Sequence, residues 1–133
     1  MAGNVAVNNI PPPTESAEQI ALFRWAEWAK GTMPELALLY HIPNGGKRYV
    51  ATAKRLKAEG VKSGVPDLCP PVARGGFHGF YIELKRTRGN KATGNQEGWL
   101  VQLAGQGYHT AVCFGWEAAA QALQDYLRME ARA

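Results

Sequence analysis

The sequence predicts an α/β domain with the element order α-β-α-β-β-α-β-α, and three observations carry that prediction. Four stretches repeat apolar residues at helical spacing between capping or stop residues: Thr14 to Lys30, Arg48 to Glu59, Thr93 to Gln106, and a last one opening at Trp116. Short apolar runs of strand character lie between them. After the second helix, two further runs, Val65 to Val72 and Phe77 to Lys85, flank Arg74-Gly75-Gly76 and read as a hairpin. A chain of 133 residues is the size of one domain, so residues 14–133 form a single unit behind an arm of residues 1–13.

The arm has no period and ends in Pro11-Pro12-Pro13, which predicts extended chain, disordered or laid on a partner. Thr14 caps the first helix, which stops before Gly31. Glu18, Leu22, Trp25 and Ala29 share one ridge of that helix, so Glu18 lies in line with apolar residues. An acid in the first turn is also what the helix dipole favours. Leu36 to Ile42 reads as a short strand leading into Asn44-Gly45-Gly46, where the glycine pair permits positive φ or close approach of a ligand. His41 reads as a strand residue with a satisfied side chain, since nothing in the sequence pairs with it.

In the second helix Tyr49, Ala53 and Leu56 form the buried stripe, with Lys54, Arg55 and Lys57 outside and Gly60 as the stop. Lys62 stands just before the hairpin, placed equally for a phosphate or for solubility. Residues 86–94 form a polar loop carrying Arg86, Arg88 and Lys91. Thr93-Gly94-Asn95-Gln96 satisfies a capping box, with Gln96 reaching back to the cap. Gln96 also shares a ridge with Leu100 and Leu103 that faces the sheet, so a role towards Lys85 stays open beside the capping role. Residues 108–115 form the last strand. The final helix buries Trp116, Ala120, Leu123 and Leu127, and Trp99 joins Trp116 as a core residue.

Chemistry concentrates in the hairpin. If its loop is Arg74 to Gly76, Ala73 pairs with Phe77 and Asp67 falls opposite Glu83. Opposed residues on one face have Cβ atoms about 4.5–5.5 Å apart, and two like charges there repel. A bound cation would relieve that repulsion. Lys85 follows Glu83 by two and shares its face, while Ile82 and Leu84 point into the core. Pro70-Pro71 removes two ladder donors, so the first strand of the pair is an edge or is bulged there, and the register can slip accordingly.

The net charge of +4 is unevenly spread: Lys47 to Lys91 holds 11 basic and 3 acidic residues. A basic block framing an acidic pair suits a binder of phosphate backbone with a metal centre, against the blander reading of a solvated helix and loop. Cys69 and Cys113 lie far apart within strands and read as free buried thiols, and no paired Cys/His spacing supports zinc. The apolar runs are too interrupted for a membrane span, and the start lacks the features of a secretory signal, which predicts a cytoplasmic protein.

Pro66-Asp67 followed by Glu83-Leu84-Lys85 resembles the PD-(D/E)XK nuclease motif. With Ile42-Pro43-Asn44-Gly45-Gly46, Arg48, the run from Gly60 to Leu68 and Gln96, the chain resembles its VRR-NUC branch from about Glu18 to Tyr126, in the stand-alone type of phages and bacteria. The resemblance implies a restriction-endonuclease-like core, a small mixed sheet flanked by helices. It implies a Mg²⁺- or Mn²⁺-dependent endonuclease acting on DNA, with Asp67, Glu83 and the Leu84 carbonyl as metal ligands and Lys85 and Gln96 beside them. It also places an active-site acid on the first helix, Glu18 bridging to the metal through water or a second ion, with Glu15 competing. The loop residues Asn44, Gly45 and Arg48 would face DNA phosphates, joined by Lys62, Arg86 and Arg88. Relatives of this type look like Holliday-junction resolvases working as homodimers. Flap cleavage is the alternative activity, and a nucleic-acid-binding module without catalysis the alternative class. Ala21, Leu22, Phe23, Trp25, Ala26 and Trp28 cover more than one stripe of the first helix, in keeping with a dimer.

Overall fold

Thr14 takes an extended conformation and accepts a hydrogen bond from Ala17 N, which starts helix α1 (Glu15–Ala29) where the sequence places it. The remaining elements of this computed structural model, which describes residues 10–44, 50–88 and 91–131, keep the predicted order. They are β1 (Tyr40–His41), α2 (Val50–Ala58), β2 (Leu68–Cys69), β3 (Phe80–Lys85), α3 (Gly94–Gly105), β4 (His109–Phe114) and α4 (Trp116–Leu127). The four strands form one mixed sheet in the order β1-β2-β3-β4, antiparallel except for the parallel β3–β4 pair. A parallel pair needs a crossover, and α3 supplies it.

Side-chain alternation divides β3 between two environments. Phe80, Ile82 and Leu84 point to the face where α1 and α4 pack, and with Leu22, Ala26, Leu68, Ala119, Leu123 and Tyr126 they make the core. Fully burying a leucine, isoleucine or phenylalanine contributes about 1.5–3 kcal/mol, so this face holds the sheet to the helices. The Tyr126 hydroxyl reaches through to donate to Val72 O at 2.6 Å. Tyr81, Glu83 and Lys85 point to the other face, which α3 covers in part.

Four expectations are corrected. The apolar run at 36–42 is not a strand throughout: Pro34–Leu38 is a 3-10 turn, and only Tyr40–His41 pairs. Leu36 and Leu39 are its buried residues, a spacing of three that a short apolar run does not distinguish from strand. Helix α2 buries none of its residues: Ala53 is exposed and Leu56 half-buried, while Tyr49 lies outside the described residues. Gly60, with φ +105°, ends it as expected, through bonds from Gly60 N to Lys57 O and from Val61 N to Leu56 O. Trp99 and Trp116 are half-buried rather than central.

The fourth concerns the hairpin. Its tip is a two-residue turn with Gly75 and Gly76 at φ +57° and +88°, and Arg74, not Ala73, pairs with Phe77. The strand leading to it ends at Cys69, because Pro70 and Pro71 cannot donate to the ladder. Val72 N bonds back to Pro70 O, and this tight bend absorbs one residue. Below the bend the register is the predicted one, Leu68 opposite Ile82. One step further along it, Asp67 stands opposite Glu83.

Candidate active site

Asp67 is fixed by its neighbours on both sides. Its carbonyl accepts from Ile42 N at 2.7 Å and pairs with His41 Nδ1 at 2.9 Å, and its Oδ2 accepts from Leu84 N at 2.8 Å. The carboxylate therefore takes over a backbone donor of β3 where the ladder ends. Glu83 is 1% exposed. Its Oε2 accepts from Gln96 Nε2 at 3.1 Å and lies 3.8 Å from Lys85 Nζ, but its Oε1 is buried with no hydrogen-bond partner. Burial, and then the charge of Asp67, push the Glu83 carboxyl up to about 9, against a smaller pull downward from Lys85.

That orphaned oxygen decides what the pair fits. A buried carboxylate oxygen with nothing to accept from is costly, and either a shared proton or a cation satisfies it. The donors that converge are all oxygens, which suits a hard divalent cation. Among the described residues no group of three or more His, Cys, Asp or Glu forms a metal site by itself. The two carboxylates would need a carbonyl and water to complete a shell, as the family resemblance implies through Leu84.

Glu15, not Glu18, faces this site. A cleft of about 370 Å³ is lined by Glu15, Ser16, Gln19, His41, Asp67 and Leu84. Glu15 Oε1 lies 3.8 Å from Lys85 Nζ, so the lysine stands between Glu15 and Glu83. Glu18 is buried, as its ridge predicted, but both its oxygens are engaged elsewhere. Oε2 accepts from Thr87 Oγ1 at 2.6 Å and Oε1 from Trp116 N at 3.2 Å, the first amide of α4. A carboxylate at a helix N-terminus is favoured there by the dipole. Gly115 makes room for it: at φ +90°, a Cβ would lie 3.1 Å from Thr87 Oγ1 and 3.6 Å from Glu18 Oε2.

Gln96 holds both of its predicted places at once, although its partner is Glu83 rather than Lys85. Its Oε1 accepts from Thr93 N at 2.8 Å to close the capping box, which turns Nε2 towards Glu83. The loop before Pro66-Asp67 is clamped to the same helix, since Asn95 Nδ2 and Trp99 Nε1 both donate to Ser63 O. At Gly64, with φ +87°, any Cβ would collide with Asn95 Nδ2 at 2.5 Å. The α3 N-terminus thereby fixes both carboxylates of the pair. Ser63 lies in the Gly60–Leu68 run and Asn95 in the capping box, but nothing in the sequence joined the two, and Thr87 carried no signal beyond being polar.

The profile of the VRR-NUC domain matches residues 14–116, from the cap of α1 to the first residue of α4. The chain belongs to the VRR-NUC family. Its structure is similar to a solved "VRR_NUC domain protein", with a TM-score of 0.78 and 30% identity over 91% of this chain and 93% of that one. Among curated proteins none matches the chain. VRR-NUC is a nuclease family, and the matched span contains Asp67, Glu83, Lys85, Gln96 and Glu15.

The residues expected along a VRR-NUC substrate path do not gather so tightly. Asn44 donates to Val65 O at 2.8 Å, which ties its loop to the strand carrying Asp67 and engages its amide within the protein. Gly45 and Arg48 lie outside the described residues. Lys62 and Arg88 are exposed. Arg86 turns back to donate from Nη2 to Pro12 O at 3.0 Å, so Pro12 lies against its own chain, while Ile10, Pro11 and Pro13 are exposed. Among the described residues no helix is long and apolar enough to cross a membrane.

Proposed function

We propose that the chain is a Mg²⁺- or Mn²⁺-dependent DNA endonuclease that cuts branched substrates, four-way junctions first among them. The observation that carries the metal-dependent reading is the orphaned Oε1 of Glu83, buried opposite a second carboxylate, while the choice of four-way junctions rests on the family resemblance. A module that only bound DNA would gain nothing from such a pair. Asp67, Glu83 and the Leu84 carbonyl would hold the cation. When bound, the cation supplies Lewis-acid activation of the scissile phosphate and a more acidic water.

The chain's own groups do the rest. Asp67 is held by Leu84 N and Glu83 by Gln96, so neither has to reorganise when a phosphate arrives. Lys85, 5% exposed between two acids, stays placed to orient the attacking water or to stabilise charge on the phosphate. Glu15 holds that ammonium on the cleft side and would contact a water of the cation. Glu18, the other acid the resemblance offers on this helix, accepts from Thr87 Oγ1 and Trp116 N and would act chiefly by fixing the end of β3. Lys62, Arg86 and Arg88, with Gly45 and Arg48, would supply the phosphate contacts, and Asn44 would shape their loop. The protein would work in the cytoplasm, where chromosomal or phage DNA is found.

Symmetric cutting of a four-way junction needs two sites related by a two-fold axis, and this domain holds one, so the working form would be a homodimer. Of the six apolar residues expected to exceed one stripe of α1, Leu22 and Ala26 are buried, Ala21, Phe23 and Trp25 half-buried, and Trp28 alone is exposed, at 80%; with Ile20, half exposed, it is the apolar surface left on this helix for a second copy. The test is cleavage of junction, flap, duplex and single-stranded DNA with Mg²⁺, Mn²⁺ or chelator, alongside light scattering. Metal-dependent paired cuts in junctions by a dimer are expected. A monomer that cuts flaps alone would establish the alternative activity, and no metal-dependent cleavage of any substrate would overturn the nuclease reading.

A further inference from the structure

The carboxylate pair is one row of the sheet, and the next row on the same face is aromatic. The β1–β2 register sets Tyr40 opposite Cys69, and the β2–β3 register, continued by one residue, sets Cys69 opposite Tyr81. Cys69 and Tyr81 each stand two residues from Asp67 and Glu83, so the Tyr40–Cys69–Tyr81 row lies about 7 Å along the strands from the proposed cation site. Between the two tyrosines Cys69 is 2% exposed, so the row presents the rings and not the thiol. Tyr81, on the interior strand β3, is half-buried. Tyr108 meets the ring of Tyr81 edge-on, with centroids 5.2 Å apart, and stiffens it. Helix α3 packs over β3 and β4, and Tyr40, on the edge strand, remains 47% exposed.

Cys69 is closed to solvent, so the two tyrosines are what the row offers a ligand. We propose that Tyr40 and Tyr81 form a stacking platform for one unpaired nucleobase beside the scissile phosphate. This rests on the nuclease reading and names the substrate feature that reading left open. The occupant follows from position and charge. The row continues the face that would hold the phosphate, at a distance one nucleotide spans, and β2 and β3 both lie within the basic Lys47–Lys91 block. Every base has a π-face, but inside a duplex both faces are covered by neighbours. The platform therefore selects DNA in which a base next to the cut is free of its stack, as at a branch.

The experiment measures binding in chelator to two DNAs of equal length, a plain duplex and a branched DNA with 2-aminopurine unpaired beside the branch. Tyr40→Ala should weaken binding of the branched DNA by about 5- to 150-fold, the range for one base on one aromatic ring, with its fluorescence dequenched and duplex affinity unchanged. Tyr40→Phe keeps the ring and should bind like the parent. Tyr40 is an exposed edge residue, and circular dichroism checks that the variant folds. Equal losses on both DNAs, or none, would overturn the platform while leaving the nuclease reading in place. A change in oligomeric state on Tyr40→Ala would overturn it too, by assigning the rings to a second copy. A parent protein that binds neither DNA would remove both readings together.

Discussion

Glu18 and Glu83 are equally buried, at 3% and 1% exposure, yet their surroundings make them opposite kinds of residue. Glu18 has a hydroxyl on one oxygen and a helix amide on the other. Glu83 has an amide on one oxygen, no donor on the other, and across the strand pair a second carboxylate with which only a shared proton could bond. Burial alone therefore says nothing about whether an acid is structural. What separates them is whether the fold completes the hydrogen bonding of the charge, or leaves it for something the chain does not contain.

The largest effect that tests this contrast is the loss of cleavage. Glu83→Gln and Asp67→Asn should lower metal-dependent cleavage by on the order of 10⁴-fold, the scale seen when one member of an interdependent catalytic set is removed. Both should keep or raise the melting temperature of the metal-free protein, because they remove a buried repulsion. Glu18→Gln should do the reverse. It should cost about 1.5–3 kcal/mol in urea unfolding, the worth of hydrogen bonds to a charged group, with cleavage per folded molecule nearly unchanged. If Glu18→Gln abolished cleavage at full stability, the division between the two acids would be wrong.

Glu15 sharpens the comparison from the same helix. It is exposed where Glu18 is buried, and it reaches Lys85 where Glu18 does not. Glu15→Gln should leave stability within about 0.5 kcal/mol, as surface substitutions do. Turnover should fall by roughly tenfold, below the 10²–10⁴-fold scale of a group that itself transfers the proton. Parallel kinetics of the Glu15 and Glu18 variants, corrected for folded fraction, would show whether the roles are reversed.

The pH dependence follows with a fixed sign. Glu83 has a folded value near 9 against an ordinary value of 4.5, so between these limits the folded state binds more protons than the unfolded one. Metal-free stability should therefore be highest, as far as this group is concerned, below pH 4.5, and decline as pH rises towards 9. His109 acts from the other side. Its burial against Phe80 and Tyr126 lowers its pKa, so its contribution is lost as pH falls below its ordinary value of 6.5. Melting curves in chelator should fall on the alkaline side, and Glu83→Gln or saturating Mn²⁺ should flatten that limb. An alkaline limb identical in the parent and in Glu83→Gln would place the linkage elsewhere.

How much of this was legible depends on whether the information was local. The opposition of Asp67 and Glu83 follows from hairpin geometry, but two compensating features produce it. The turn is one residue shorter than predicted, and the bend at Pro70-Pro71 takes that residue up before Leu68. The prolines signalled a disruption without giving its size. The Glu18 ridge likewise predicted burial correctly, because periodicity reports which face turns inward. It could not report Thr87 or Trp116 N, which come from residues 69 and 98 positions away. Helix α2 shows the limit in the other direction: a pattern of apolar residues predicted a buried stripe, and of its described members Ala53 is exposed and Leu56 only half-buried.

Gln96 offers the finest test, because one side chain spans a cap and the site. A capping box accepts glutamate as readily as glutamine, so Gln96→Glu should keep the bond from Thr93 N and the helix start. It would also replace the Nε2 donor on Glu83 by a third carboxylate oxygen. Gln96→Ala loses both functions and should cost about 0.5–1.5 kcal/mol, one ordinary hydrogen bond. If Gln96 positions Glu83 for the cation, both variants should weaken Mn²⁺ binding by about tenfold, the lower end for groups that orient metal ligands. Only the alanine variant should then lose helix stability. Calorimetric Mn²⁺ titration beside urea melts separates the two. Metal affinity that tracked stability alone, falling in Gln96→Ala and holding in Gln96→Glu, would reduce Gln96 to a cap and leave Glu83 Oε2 to Lys85.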